Sequence, residues 1–129
     1  MIYNKENLEI VSKAIVDNLT PDLIPKKWQQ RNSITPSFGH CHNASACLQK
    51  VFGTKNIKLY RALDEQDIWH WWCIDIDGNR IDLTSDQYYK WNRTPPYEQG
   101  EKASILGWGY KKRVFELLER VEKVLDIKC

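Results

Sequence analysis

Apolar residues along this chain follow two different periods. Leu8, Val11, Ile15 and Leu19 recur at steps of three and four, with Glu6, Glu9, Lys13 and Asp17 elsewhere, so Asn4 to Leu19 is predicted to be an amphipathic helix. Thr20-Pro21 can open a short second turn, but Pro25 forbids a long helix there. Lys26 to Phe38 is polar and irregular, a loop expected to pack through Trp28. Asn43 to Phe52 reads as a second helix with Ala44, Cys47, Leu48 and Val51 on one face, and Gly53 is placed to end it in a left-handed C-cap. At the C-terminal end, Arg113 to Asp126 is helical, with Val114, Leu117, Leu118, Val121 and Leu125 directed inward.

Between these helices the period shortens. Ile57 to Leu63 is a strand followed by a polar turn, Asp64 to Asp67. His70 to Ile76 and Arg80 to Thr84 form a hairpin around Asp77-Gly78, a strong turn signal. Thr84-Ser-Asp-Gln87 has the spacing of a capping box, which predicts a helix starting at Ser85. Arg93 to Lys112, with Pro95-Pro96 and Gly100, Gly107 and Gly109, reads as a loop. The fold class that follows is α+β: an antiparallel sheet of about three to five strands packed against helices, in one domain over 1–129.

Composition narrows the class. A chain of 129 residues with 42% hydrophobic and 28% charged residues matches a globular domain, and a net charge of +2 is too small to demand a polyanion partner. No apolar run approaches a membrane-spanning length of about 20 residues. The N-terminus turns polar at once and lacks an apolar signal-peptide core, so a cytoplasmic location is expected. In that compartment Cys41, Cys47, Cys73 and Cys129 are expected to be free thiols.

One of those thiols stands apart. Cys41 follows Gly39-His40 and directly precedes the second helix, where unpaired backbone N–H groups favour a thiolate. His70 lies on the first hairpin strand and Asp82 on the next. Cysteine at a helix start, then histidine, then aspartate is the chain order of a thiol-nucleophile triad. His70 would serve as base and acid, Asp82 would orient it, and the Cys41 N–H would be one oxyanion donor. For a second donor or for substrate contact the candidates are Gln30, with its neighbours Gln29 and Asn32, and His40, His42, Trp71 and Trp72.

The hairpin register decides whether the set can assemble. A two-residue turn at Asp77-Gly78 puts His70 and Asp82 on opposite faces of the sheet, whereas a three-residue turn with a bulge puts them on one face. The sequence leaves both open.

His70-Trp71-Trp72 followed by Asp82-Leu83-Thr84 resembles the His-x-Trp … Asp-x-Thr pattern of the transglutaminase-like, papain-like superfamily. More closely, Gly39-His40-Cys41, Gly53, His70-Trp71-Trp72, Asp77-Gly78, Ile81-Asp82-Leu83-Thr84 and Gln87 resemble the YunG-like family of small bacterial proteins, with similar short chains in tailed phages. The resemblance spans roughly Trp28 to Tyr88 and implies Cys41 as nucleophile, His70 as base and Asp82 as orienter. It implies a small cysteine hydrolase or acyl/amide transferase (protease, amidase or deamidase type) acting on a protein or peptide-like amide without a cofactor. His40, His42 and the aromatic stretch after Gln87 lie outside the pattern.

Other readings compete. A free cysteine is most often simply buried, and a plain role for Asp82 is to cap the strand end or pair with Arg80. A non-catalytic binding or inhibitor protein on the same scaffold is the second class. Zinc is a third, through Cys41, His42 and His70. Cys41 and Cys47 are about 240° apart on a helix, and a regular strand points His70 and Cys73 to opposite sides, which disfavours it. The Tyr88–Tyr97 aromatics mixed with cations resemble a single-stranded nucleic acid site, but packing of Tyr88 against Trp91 accounts for them without one.

Overall fold

The computed structural model describes residues 1–26, 29, 39–103 and 111–129. Helix α1 is Lys5–Asp17, capped by Asn4, whose side chain accepts from the Asn7 N–H. A 3-10 turn at Pro21–Leu23 leads toward helix α2, Cys41–Phe52. Strands β1 (Ile57–Leu63), β2 (Trp69–Asp75) and β3 (Arg80–Ile81) follow, then a four-residue helix α3, Asp86–Tyr89. A second 3-10 turn at Tyr97–Gln99, strand β4 (Glu101–Lys102) and helix α4 (Lys112–Leu125) complete the order. The sheet is antiparallel, ordered β3-β2-β1-β4, so the class is α+β. No described helix is long and apolar enough to cross a membrane.

Burial explains the arrangement. Val11, Ala14 and Ile15 of α1, most of α2, and Val114, Leu117, Leu118 and Val121 of α4 share one core with Ile57, Leu59, Trp71 and Cys73. The odd positions of β1 and β2 therefore face the helices, as a period of two requires. The even positions, Tyr60, His70 and Trp72, face the other way and are roofed by Tyr88 and Tyr97. Trp72 fits because residue 100 is glycine: a Cβ there would lie 2.4 Å from the indole. Cys47 and Cys73 are buried free thiols in this core.

Several sequence expectations need correction. Helix α2 begins at Cys41, two residues before the predicted Asn43, so Cys41 is its first residue. Gly53 ends it with φ +91° and ψ 157°, an extended glycine-only conformation in place of the left-handed cap. The stretch 93–112 contains β4, missed because two residues carry no readable alternation. The capping box at Thr84 does not form. Thr84 turns its N–H and hydroxyl to Asp82, and Ser85 makes no side-chain cap bond. The loop expected at 26–38 and its Trp28 lie outside the described residues, except Lys26 and Gln29.

The open question of register is settled by Asp75. Cys73 pairs with Ile81 and Ile74 with Arg80, and Asp75 closes a three-residue turn through its N–H to the Asn79 carbonyl, 2.9 Å. Asp75 Oδ1 accepts the N–H groups of Asp77 (3.0 Å) and Asn79 (2.8 Å), and Gly78 takes φ +84°. Oδ2 accepts the Tyr3 hydroxyl at 2.5 Å, tying the turn to the N-terminal segment. Burial would raise the Asp75 pKa, but these donors together hold it below its ordinary value.

Asp75→Ala should cost about 1–3 kcal/mol in urea unfolding, because four donors, on Tyr3, Asp77 and Asn79, lose their acceptor. With its folded pKa depressed, the Asp75 carboxylate contributes stability that is present above its unfolded value near 3.8 and lost as pH falls through the folded one. The advantage of wild type over Asp75→Asn should therefore shrink on acidification below that value; an advantage constant with pH would contradict this account.

Candidate functional site

The chosen register carries Asp82 to the position opposite Trp72 and diagonal to His70, on the same face of the sheet. His70 Nε2 donates to Asp82 Oδ2 at 2.6 Å. The Tyr97 hydroxyl donates to the same oxygen at 2.7 Å, while the Thr84 N–H (3.1 Å) and hydroxyl (3.4 Å) serve Oδ1. The carboxylate is thus clamped from two sides. The imidazole is fully buried, stacked on Trp72 (5.8 Å, 27°) and met edge-on by Tyr88 (4.7 Å, 71°).

Cys41 arrives from the helical layer. It heads α2 at the end of the sheet where β2 begins, its thiol donating to the Trp69 carbonyl oxygen at 3.7 Å, and it lies near enough to His70 to raise that ring's pKa. Gly39 allows this entry with φ +83°, and a Cβ on it would press on Ile24 at 3.3 Å. His40, the residue before the helix, makes no side-chain cap, so the first N–H groups of α2 are left to other partners.

Electrostatics separate the three histidines. Burial alone would lower the His70 pKa, but its hydrogen bond to Asp82, the neighbouring Cys41 thiol and the charges of both raise it to about 9. Burial lowers His40 to about 4. His42 also falls to about 4, through burial and then the nearby Lys111 charge.

The sequence candidates divide accordingly. Cys41, His70 and Asp82 come together. His42 and Trp71 line a cleft of about 740 Å³ that opens on Cys41, their rings edge-to-face at 4.7 Å. Trp72 does not reach the cleft; it backs His70 from behind. His40 is fully buried, and neither ring nitrogen has a hydrogen-bond partner among the described residues. Gln29 Nε2 donates to the Pro21 and Ile24 carbonyls, and Gln30 and Asn32 lie outside the described residues. Among the described residues no group of three or more His, Cys, Asp or Glu is arranged to hold a metal ion.

Gln87, which the sequence offers as half of a cap and as part of the family resemblance, places its amide 2.8 Å from His70 Nδ1 and lines the cleft. An amide can offer that nitrogen either its NH2 or its oxygen, so Gln87 suits both protonation states. Tyr97 was not singled out for the site. Its sequence signals are the aromatic stretch it closes and Pro95-Pro96 immediately before it, which favours a rigid turn.

These features define a small α+β domain with a buried carboxylate–imidazole pair reaching a helix-heading thiol. A sequence profile described as YunG protein matches residues 7–125. The chain belongs to the YunG family, over a span well beyond the motif stretch. No curated protein and no solved structure gives a significant match.

Histidine-detected NMR should separate the three rings: His70 protonated through neutrality and titrating near 9, His40 and His42 neutral until about 4. With its folded pKa raised, His70 contributes stability that is complete below its unfolded value of 6.5 and lost as pH rises through about 9. Three titrations clustered near 6.5 would refute this picture.

Proposed function

We propose that this protein is a small cysteine hydrolase or acyl/amide transferase of transglutaminase-like, papain-like type, acting on a peptide-like amide. The observation that carries the reading is the buried His70–Asp82 pair, imidazole Nε2 to a clamped carboxylate at 2.6 Å, beside the Cys41 thiol that heads α2. A protonated His70 beside Cys41 favours the thiolate, as does the α2 N-terminus. The thiolate attacks the amide carbon, and the Cys41 N–H supports the developing oxyanion. His70 Nδ1 is the nitrogen left for proton transfer, because Nε2 is held by Asp82. Nδ1 gives its proton to the departing amine as the C–N bond breaks, leaving a thioester. Water or an acceptor amine then attacks the thioester, returns a proton to His70 and frees the thiolate. Gln87 must yield Nδ1 during these transfers.

A non-catalytic binding protein on the same scaffold is the second reading. It is favoured by the complete burial of His70 and by the Gln87 amide resting on Nδ1.

Iodoacetamide alkylation, read by peptide mass spectrometry to separate Cys41 from exposed Cys129, distinguishes the two. Cys41 should react at pH 6 at least about tenfold faster than N-acetylcysteine, which at a pKa near 8.5 is almost wholly protonated there. His70→Ala should remove the excess. A Cys41 rate that tracks the model thiol from pH 5 to 8 would sink the catalytic reading.

A further inference from the structure

The cleft on Cys41 is unevenly charged. Arg93, Lys111 and Arg113 line it, against one carboxylate among the lining residues, Asp67. Arg93 is already neutralised, its Nε 2.7 Å from Glu65 and its Nη2 3.6 Å from Asp64. Lys111 and Arg113 are in none of the ion pairs among the described residues. Residues 27–28, 30–38 and 104–110 contain no aspartate or glutamate, so those segments supply no carboxylate to cover them. Two cations are therefore held at the mouth of a cleft whose other walls include Leu23, Ile68 and Trp71. Apolar walls thin the water between charges and strengthen their interaction with anything placed inside.

We infer that the cleft selects a substrate carrying a negative charge, such as a carboxylate or phosphate, beside its reacting carbonyl, with Lys111 and Arg113 as the recognising groups. The inference rests on the cysteine-hydrolase reading for its chemistry, but the charge preference can be measured without it. The Lys111 charge also reaches His42, the residue next to Cys41, whose pKa is lowered by burial first and by Lys111 second. His42 is therefore uncharged at neutral pH and lines the cleft as a neutral hydrogen-bonding group. Arg113 can meet such an anion through two parallel N–H groups and Lys111 as a point charge. Asp67 lies in the β1–β2 turn and is in none of the ion pairs among the described residues, so it does not cancel the two cations as a bonded partner would.

Two alkylating probes of nearly equal size read this charge. Iodoacetate and iodoacetamide both form an S–C bond to the thiolate with loss of iodide, and differ in one negative charge. For Cys41 the ratio of iodoacetate to iodoacetamide rate, divided by the same ratio for N-acetylcysteine, should be about tenfold at low salt, since two screened cations contribute about 1.4 kcal/mol together. It should collapse toward one between about 0.01 M and 1 M salt, as the screening length falls from about 30 Å to about 3 Å. Lys111→Gln/Arg113→Gln should lower the ratio likewise, with circular dichroism checking the fold. The salt series on the native chain keeps the test decisive if that variant does not fold. A normalised ratio near one at low salt, or one indifferent to both salt and the double substitution, overturns the inference. The two readings fail separately. A raised ratio with an ordinary absolute iodoacetamide rate removes the activated nucleophile and keeps the anionic preference. A fast rate with a ratio of one does the reverse.

Discussion

The interaction on which the site depends is the Asp75 carboxylate at the end of β2. By taking the N–H groups of Asp77 and Asn79 it turns the chain in three residues instead of two. A shift of one residue would send Asp82 to the helical face with Trp71 and Cys73, and His70 would keep no carboxylate. Because Oδ2 also holds Tyr3, the turn is anchored to the segment that enters α1. A turn some distance along the strand thus decides what meets the imidazole.

Once the register is set, the two faces of the sheet acquire different tasks. The helical face buries ordinary core residues and brings the start of α2, and so Cys41, to the end of β2. The other face is aromatic: Trp72, Tyr88 and Tyr97 seal His70, and Gly100 makes room for Trp72. Burial of that kind normally drives a histidine toward neutrality, as it does for His40. His70 goes the other way because Asp82 and Cys41 supply charge-assisted partners inside a region where such partners count for more than in water. Tyr97 and Thr84 complete the arrangement by holding the aspartate in place.

Much of this was legible in the residues. The 3.6-residue period of Val114, Leu117, Leu118 and Val121, and the alternation from Ile57 to Leu63, found α4 and β1 within a residue at each end, since long amphipathic patterns reflect burial directly. Cys41, His70 and Asp82 were legible by type and order. Gln87 was misread because its local spacing fits a cap equally well, and the competition was decided by His70, which lies 17 residues away. Trp71 and Trp72 were indistinguishable as neighbours in sequence, yet the pleat sends one to the cleft and the other behind His70. Lys111 and Arg113 looked like ordinary surface cations until the cleft gathered them.

By itself, then, the sequence determined the α+β class, the elements that carry the site and the identity of the thiol, imidazole and carboxylate found there. Periodicity and residue chemistry are local properties, and those features depend on nothing else. Tertiary structure decided the register that joins His70 to Asp82, the burial that separates three histidines, and the charge of the cleft beside Cys41. Each of these is set by groups distant in the chain, whose positions only the packed fold defines.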